Sequence, residues 1–173
     1  MKLTATAIPG AFVVDIEPAS DDRGFFARQW CSRELEGAGL VGQLAQTSLS
    51  HNVKRHTLRG MHYAAGETKL VHCTRGAIFD VLVDLRGPAP VWQGFELTAD
   101  NHRMLYIPEG IAHGFLTLED GSEVQYFISS FFDPKAARGV RFDDPAFGIA
   151  WPAPPAVIAQ RDASYPDWKP GPP

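Results

Sequence analysis

Short apolar stretches separated by polar turn residues dominate the pattern along the chain. Seven stretches are rich in β-branched and aromatic residues, and turn-forming residues lie between them. The predicted strands are AFVVDI (11–16), GFFARQW (24–30), KLVHCTRG (69–76), AIFDVLVDLR (77–86), VWQGFELT (91–98), RMLYIP (103–108) and EVQYFISSFF (123–132). Many short strands joined by turns predict an all-β protein, either a sandwich or a barrel.

The strand predicted at 77–86 alternates between two faces. Val81 and Val83 belong to a uniformly apolar face, whereas Asp80 and Asp84 alternate with apolar residues on the other face. This period of two is typical of a strand that is buried on one side only.

Helical signals are few. The segment SRELEGAGL (32–40) favours a short helix capped by Ser32, and DPKAARG (133–139) favours one helical turn. Prolines are frequent from about residue 152 onward, and proline resists both helix interiors and central strands. We therefore expect the C-terminal tail to be an extended segment that wraps the domain and frays at its end.

Length and composition predict one soluble domain over residues 1–173. Two cysteines, Cys31 and Cys73, are too few for a disulfide framework, so we expect a reducing, cytoplasmic location. The first residues have the pattern of neither a signal peptide nor a membrane span. A net charge of −4, from 16 basic and 20 acidic residues, disfavours a nucleic-acid partner because binding phosphates requires clustered basic residues.

The fragment YIPEGIAHGF has the spacing P-x-G-x-x-H ending at His113, which resembles the second motif of the cupin double-stranded β-helix. Metal-binding cupins use an H-x-H pair, in which alternate strand positions project both imidazoles toward the metal. This chain has HYA at that point, which leaves at most His62, Glu67 and His113 as ligands. We therefore expect no metal.

Seven blocks together resemble the dTDP-4-dehydrorhamnose 3,5-epimerase family, which are metal-free nucleotide-sugar epimerases of the cupin superfamily. The blocks run in family order and cover most of the chain: DDRGFF (21–26), LRGMHY (58–63), KLV (69–71), GAIFDVLVDLR (76–86), IPEGIAHGF (107–115), RGVRFDDPAFGIAWP (138–152) and AQRDASYP around Asp162. The resemblance implies a cupin jelly roll with short peripheral helices.

The resemblance also implies acid–base chemistry that needs no cofactor. Epimerisation beside a ketone removes a proton from one face, holds the enolate and returns a proton to the other face. His62 is the implied general base and Asp162 the carboxylate that orients it. Lys69 would face the keto oxygen, and Tyr126 would return the proton. From the residues alone, His62 could be a buried structural histidine, Lys69 a surface lysine and Tyr126 a core aromatic residue.

The substrate implied by the resemblance is a nucleoside-diphosphate 4-keto-6-deoxyhexose, with dTDP as the nucleotide that the family uses. Arg23 and Arg59 match arginines that bind the diphosphate, because guanidinium pairs with phosphate oxygens in a bidentate geometry. In the family, the segment Arg23–Phe26 is contributed to the neighbouring subunit's site, which implies a homodimer. Further candidates for lining the substrate pocket are Phe26, Gln46, Ser48, Ser50 and His113.

This chain departs from the family pattern at several points. Arg28 stands where an acidic residue helps to recognise thymine, and Ser48 stands where asparagine is common. The segment between His62 and Lys69 is shorter than usual and lacks a typical glutamine. Phe132 replaces a second active-site tyrosine. The 4-keto-6-deoxyhexose is therefore a firmer expectation than the dTDP group, and the lost hydroxyl could restrict epimerisation to one carbon, C3 or C5.

Other interpretations stay open at this point. A related cupin ketoisomerase would move the carbonyl between C4 and C3 with similar groups. A non-catalytic nucleotide-sugar-binding protein would use Arg23 and Arg59 but would not require His62 or Asp162. A metal-dependent cupin oxygenase is a third possibility.

Overall fold

Two facing β-sheets form the body of the computed structural model, which describes residues 1–169. The strands are β1 (Lys2–Ala5), β2 (Phe12–Asp15), β3 (Ala19–Asp21), β4 (Gly24–Phe26), β5 (Gln46–Asn52), β6 (Thr57–Ala64), β7 (Lys69–Arg75), β8 (Ala77–Asp84), β9 (Val91–Thr98), β10 (Met104–Ile107), β11 (Ile111–Thr117), β12 (Ser122–Ile128), β13 (Ala137–Gly139) and β14 (Val157–Ile158). The helices are α1 (Ser32–Gly37) and α2 (Gln160–Ala163).

The first sheet has the strand order β1-β2-β10-β7-β12-β5, and the second has the order β13-β6-β11-β8-β9. Neighbouring strands within these orders are antiparallel. The short strand β14 adds to β6 in the parallel direction, and β3 and β4 form a separate hairpin. Two antiparallel sheets with crossovers between distant strands make a jelly roll.

The main hydrophobic core lies between the two sheets. Val71 and Val124 of the first sheet pack there against Ile78, Leu82 and Phe115 of the second, and all five are fully buried. Burial of such side chains from water is the main favourable contribution to folding. The inner faces are therefore apolar near the centre, which leaves the polar cavity described below to one side of this core.

Both sheets are also covered on their outer faces. Helix α1 places Leu35 against Leu70 and Met104 of the first sheet. The segment after β13 places Val140 and Phe147 against the second sheet. The prediction of a half-buried strand at 77–86 is therefore wrong, since β8 is buried on both faces.

Several strand bounds differ from the sequence prediction. The strand predicted at 24–30 ends at Phe26, because the chain then turns so that Trp30 stacks on Phe127 of the first sheet. The sequence prediction missed the short strands β1, β13 and β14 and three longer strands of the sheets, β5, β6 and β11, although parts of β6 and β11 lie within the resemblance blocks. Polar residues interrupt the apolar pattern of these longer strands.

The helical predictions were partly wrong. Helix α1 forms, but its N-cap is Cys31, and Ser32 is its first residue and makes no capping hydrogen bond. The predicted helical turn at 133–139 forms over its first residues, where the carbonyl of Asp133 accepts from the amides of Ala136 and Ala137 at 3.1 Å, and the segment then continues as β13, which pairs with β6. The tail is not extended throughout, because a proline-free stretch between Pro155 and Pro166 forms β14 and α2.

Two predictions extend beyond these observations. Fraying at the chain end falls on residues 170–173, which lie outside the described residues, and the single domain over residues 1–173 stays a prediction. Neither of the helices among residues 1–169 has the length and apolar content needed to cross a bilayer.

Candidate active site

A cavity of about 1020 Å³ lies between the sheets, beside the apolar core. Strands β5, β7 and β12 supply its wall on the first sheet, and β6 and β11 supply the wall on the second. The chain after β12 and the segment containing α2 complete its rim. Of the predicted site residues, the lining includes Ser48, Ser50, Arg59, His62, Lys69, His113, Tyr126, Phe132 and Asp162.

The side chains of His62 and Asp162 form a hydrogen bond within this cavity. His62 Nε2 lies 2.8 Å from Asp162 Oδ1, although the residues are 100 positions apart in sequence. Asp162 is only 3% exposed, and its helix α2 is held beside β6 by the pairing of β14 with β6. With Nε2–H donating to the carboxylate, Nδ1 of a neutral imidazole is the nitrogen that can accept a proton.

Gly60 allows the backbone of β6 to hydrogen-bond to Asp162. Its φ is +141°, which side-chain-bearing residues rarely adopt, and a Cβ here would lie 2.5 Å from Gly114 Cα on β11. The amide of Gly60 donates to Asp162 Oδ2 at 3.2 Å. Both carboxylate oxygens of Asp162 are therefore hydrogen-bonded.

Asp162 remains ionised despite its burial. Burial raises the pKa of this carboxyl, but hydrogen bonds from His62 and Gly60 and the nearby Arg161 outweigh that effect, so its pKa lies below the ordinary value. Arg161 Nε lies 3.4 Å from Asp162 Oδ1. An ionised carboxylate fixes the imidazole in one tautomer and stabilises the imidazolium that forms when the ring accepts a proton.

Lys69, at the start of β7, carries the positive charge of the opposite wall. Its Nζ lies 2.8 Å from Glu67 Oε1, and both side chains are largely buried. The backbone between them is fixed, because the amide of Thr68 donates to Ser129 Oγ at 2.9 Å. The structure therefore holds Lys69 in place before any ligand binds.

Tyr126 on β12 lies beside a buried pair formed by His113 and Asp80. His113 Nε2 lies 2.8 Å from Asp80 Oδ2, and the rings of His113 and Tyr126 meet edge to face with centroids 6.2 Å apart. Burial raises the pKa of Asp80 and, with the nearby Asp80 charge, raises that of Tyr126 far above its usual range. Tyr126 therefore keeps its proton at neutral pH.

Arg59 on β6 provides a cationic group at the cavity edge. Its Nε donates to Asn52 Oδ1 at 2.7 Å, and the buried Asn52 is in turn fixed by the carbonyl of Ser122 at 3.1 Å. The guanidinium is therefore oriented by β5 and lines the cavity with its remaining donors.

Three predicted substrate-binding residues do not line the cavity. Arg23 and Phe26 lie on the β3–β4 hairpin, where they are 89% and 80% exposed, and Arg23 pairs with Asp21. Gln46 is the first residue of β5 and pairs with Ile128 of β12, but it does not line the cavity. Within residues 1–169, the hairpin supplies no residue to the cavity lining.

The three residues considered as metal ligands each have another partner. His62 binds Asp162, Glu67 binds Lys69, and His113 binds Asp80. Across residues 1–169, no group of three or more His, Cys, Asp or Glu side chains has the arrangement of metal ligands. The expectation that no metal is used stays a prediction.

Some residues of the site were not identified from the sequence. Asp80 was seen only as the polar position of a strand, Glu67 only as a weak metal ligand, and Arg161 and Tyr165 not at all. The signal for Asp80 was present, since an acidic residue within an apolar strand is uncommon unless it has a buried partner. The positions of Arg161 and Tyr165 depend on α2, which the sequence did not predict.

Comparison with known proteins now identifies the family. The sequence model described as dTDP-4-dehydrorhamnose 3,5-epimerase matches residues 5–170. The chain belongs to the dTDP-4-dehydrorhamnose 3,5-epimerase family. The resemblance of the seven blocks is therefore confirmed.

Individual relatives of this epimerase family match along nearly their whole length. The dTDP-4-dehydrorhamnose 3,5-epimerase of Salmonella typhimurium is 37% identical over 88% of this chain and 86% of its own. The dTDP-4-dehydrorhamnose 3-epimerase of Streptomyces niveus is also 37% identical, over 94% of this chain and 81% of its own. The crystal structure of the Bacillus anthracis 3,5-epimerase, with TDP and PPi bound, superposes with a TM-score of 0.90 at 33% identity, covering 96% and 99% of the two chains. The predicted all-β cupin jelly roll is thus confirmed.

The ionised state of Asp162 makes a prediction for stability. A carboxyl whose folded pKa is lowered stabilises the fold at pH values above its ordinary value near 3.8, and this contribution is lost as the pH falls through the folded pKa. We expect Asp162→Asn to reduce the free energy of unfolding at pH 7 by about 1–3 kcal/mol. The difference from wild type should shrink below about pH 4, as measured by chemical unfolding at several pH values.

The matched control is Asp100→Asn, which removes a negative charge from an exposed turn after β9. A constant difference between Asp162→Asn and wild type from pH 7 to pH 3 would show that the carboxylate charge contributes nothing to the fold.

Proposed function

We propose that this chain is an epimerase that acts on a nucleoside-diphosphate 4-keto-6-deoxyhexose, with dTDP as the nucleotide. It inverts carbons beside the C4 ketone by removing and returning a proton. The observation that supports this most directly is the 2.8 Å hydrogen bond between His62 and the buried Asp162 at the cavity wall. The named relatives act on dTDP-sugars, which supports the same substrate class here.

The proposed reaction begins with His62. Its Nδ1 accepts the proton from the carbon beside the ketone. The C–H electron pair forms a double bond between this carbon and the carbonyl carbon, and the carbonyl π pair moves to oxygen to give an enolate. Asp162 stabilises the resulting imidazolium. The ammonium of Lys69 stabilises the oxyanion, which carries the developing charge.

Reprotonation is assigned to Tyr126. His62 belongs to one sheet and Tyr126 to the other, so the two residues lie on opposite walls of the cavity. The enolate carbon takes the phenolic proton from the second face while the carbonyl re-forms, which inverts the centre. Burial raises the pKa of Tyr126, so the phenol holds its proton at neutral pH; the shift also makes it a weaker acid, and the transfer is driven by the strongly basic enolate.

Substrate binding is assigned to Arg59 within the chain. Its guanidinium is fixed by Asn52 and remains charged at all relevant pH values, which suits a diphosphate. The Bacillus anthracis relative was crystallised with TDP and PPi, which supports a diphosphate ligand for this cavity. Ser48, Ser50 and His113 line the remaining walls and are proposed to contact the sugar or nucleotide.

The main test is incubation with dTDP-4-keto-6-deoxyglucose in D₂O, followed by proton NMR of the sugar. We expect deuterium to enter beside the ketone with inversion of configuration. We expect His62→Asn to reduce the exchange rate by on the order of 10²–10⁴-fold, because a positioned general base contributes this much.

The matched control is His56→Asn, since His56 has a φ of +58° that asparagine tolerates and does not line the cavity. A carbonyl shifted from C4 to C3 would identify a ketoisomerase instead. Tight binding without any exchange would identify a non-catalytic nucleotide-sugar-binding protein.

The number of carbons inverted is proposed to depend on Phe132. This side chain lines the cavity and is 70% exposed, so it presents an apolar ring where a tyrosine would present a hydroxyl. Relatives named as 3,5-epimerase and as 3-epimerase are equally similar to this chain, so sequence identity does not show how many carbons it inverts. We propose that the missing hydroxyl restricts inversion to one carbon.

We therefore expect wild type to exchange one of C3 and C5 at least about tenfold faster than the other, the effect of one lost hydrogen bond. Phe132→Tyr should speed up exchange at the slower carbon, as followed by NMR in D₂O. Phe131→Tyr is the matched control, because Phe131 also lines the cavity and is 77% exposed. Comparable exchange at both carbons in wild type would contradict the proposal.

A homodimer is proposed to complete the site. Phe25 and Phe26 are exposed on the β3–β4 hairpin, and apolar side chains are also exposed along the cavity rim. The rim residues are Leu49, Phe131, Phe132 and Val157. Contact between a hairpin and the rim of a second copy would bury both surfaces and bring Arg23 to the cavity.

Complementation tests this arrangement. Arg23→Ala and His62→Asn should each form dimers of low activity. After the two variants are mixed under conditions that exchange subunits, we expect about a quarter of wild-type activity, since half of the dimers are mixed and each has one intact site. A monomer by light scattering, or no recovery despite confirmed subunit exchange, would contradict a shared site.

A cytoplasmic location is proposed on the basis of the cysteines. Cys31 and Cys73 are both free, and Cys73 is buried in the core between the sheets. Burial raises the pKa of Cys73 to about 11, so its thiol is unreactive. These features suit a reducing compartment.

A further inference from the structure

We propose that Tyr165 is a positioning residue that holds the His62 imidazole in its working orientation. The proposal deepens the proposed function and rests on the role of His62 as the general base. Tyr165 follows the helix that carries Asp162, lines the cavity and has no role in the chemistry described above.

The contact between Tyr165 and His62 is edge to face. Their ring centroids are 6.2 Å apart, and the ring planes are inclined at 73°. Aromatic rings favour this geometry because the positive edge of one ring meets the negative face of the other. Tyr165 thus restricts rotation of the imidazole, whose side chain is 32% exposed toward the cavity.

Gly139 creates the space in which Tyr165 lies. A Cβ at Gly139 would be 2.2 Å from Tyr165 Cζ and 2.6 Å from its hydroxyl oxygen, so any other residue at this position would displace the ring. Gly139 does not have a positive φ, so its backbone conformation alone does not require glycine. Gly139 is also the cross-strand partner of His62 in the pairing of β13 with β6.

One short segment therefore restrains His62 from two directions. Asp162 binds its Nε2, and Tyr165, three residues later, packs against the ring. A general base works only when its nitrogen lies within hydrogen-bond reach of the substrate proton, and a misplacement of about 1 Å can cost on the order of 10²-fold in rate. The ring of Tyr165, and not its hydroxyl, makes the contact.

Four variants test this role: Tyr165→Ala, Tyr165→Phe, Gly139→Ala and the double variant Gly139→Ala/Tyr165→Ala. We expect Tyr165→Ala to lower kcat for deuterium exchange by about tenfold with little change in KM, because positioning affects the chemical step. Tyr165→Phe should retain wild-type kcat. Gly139→Ala should resemble Tyr165→Ala, and the double variant should be no worse than either, since both changes remove the same contact.

A second measurement does not depend on turnover. The NMR signal of the His62 ring, assigned by its loss in His62→Asn, should move in Tyr165→Ala and Gly139→Ala as the neighbouring ring is removed or displaced, and should stay in place in Tyr165→Phe. Retained thermal stability in Gly139→Ala would show that the fold is intact.

The outcomes separate this inference from the proposed function. No exchange by wild type would overturn the epimerase assignment, and the His62 signal would still report the contact. Wild-type exchange with full kcat in Tyr165→Ala, or additive losses in the double variant, would overturn the role of Tyr165. A loss in Tyr165→Phe equal to that in Tyr165→Ala would assign the function to the hydroxyl and contradict positioning by the ring.

Discussion

The hydrogen bond between His62 and Asp162 is the interaction on which the cavity depends. It joins a strand in the middle of the chain to a four-residue helix near its end, and so closes a loop of about one hundred residues. A helix this short is unstable alone. It is held by the parallel pairing of β14 with β6, by the amide of Gly60 and by the imidazole itself. The same segment supplies Arg161 and Tyr165 to the cavity, so its position determines this part of the cavity rim.

The second sheet, which also carries His62, buries a carboxyl group that an apolar interior would normally exclude. Asp80 is fully buried, and its Oδ1 has no hydrogen-bond partner within residues 1–169. Such a group reduces stability unless something compensates, and only His113 is in direct contact with its other oxygen. The negative charge of Asp80 also raises the pKa of Tyr126. Unfavourable buried groups of this kind concentrate at functional sites, which agrees with the proton-donating role proposed for Tyr126.

The sequence predicted the architecture better than the local details. The pattern of β-branched and aromatic residues identified core strands such as β7 and β8, although the period of two read from β8 was misleading because both faces of this strand are buried. This pattern did not identify β5 and β6, because several of their side chains line the cavity and are polar. The pattern also did not identify α2, because a helix of four residues is too short to show a helical period. This helix forms through its contacts with β6. The pairing of His62 with Asp162 was inferred from resemblance, since no local pattern links residues so far apart.

Most departures from the family pattern lie apart from the groups assigned to proton transfer, and the exception is Ser48, which lines the cavity on β5 and pairs with Tyr126 on β12. Arg28 is outside the cavity, where it pairs with Glu34, and the shortened segment forms an exposed turn at Ala65 and Gly66 on the rim. Phe132 is on the rim as well. In contrast, the groups assigned to proton transfer project from strands whose register is fixed by hydrogen bonds on both sides. The turn at Ala65 and Gly66 and the side chain of Phe132 lie outside the strands, so they can change without altering the pairing of the sheets. The part of the site that selects a nucleotide and a carbon can therefore change while the positions of the base and the acid stay fixed.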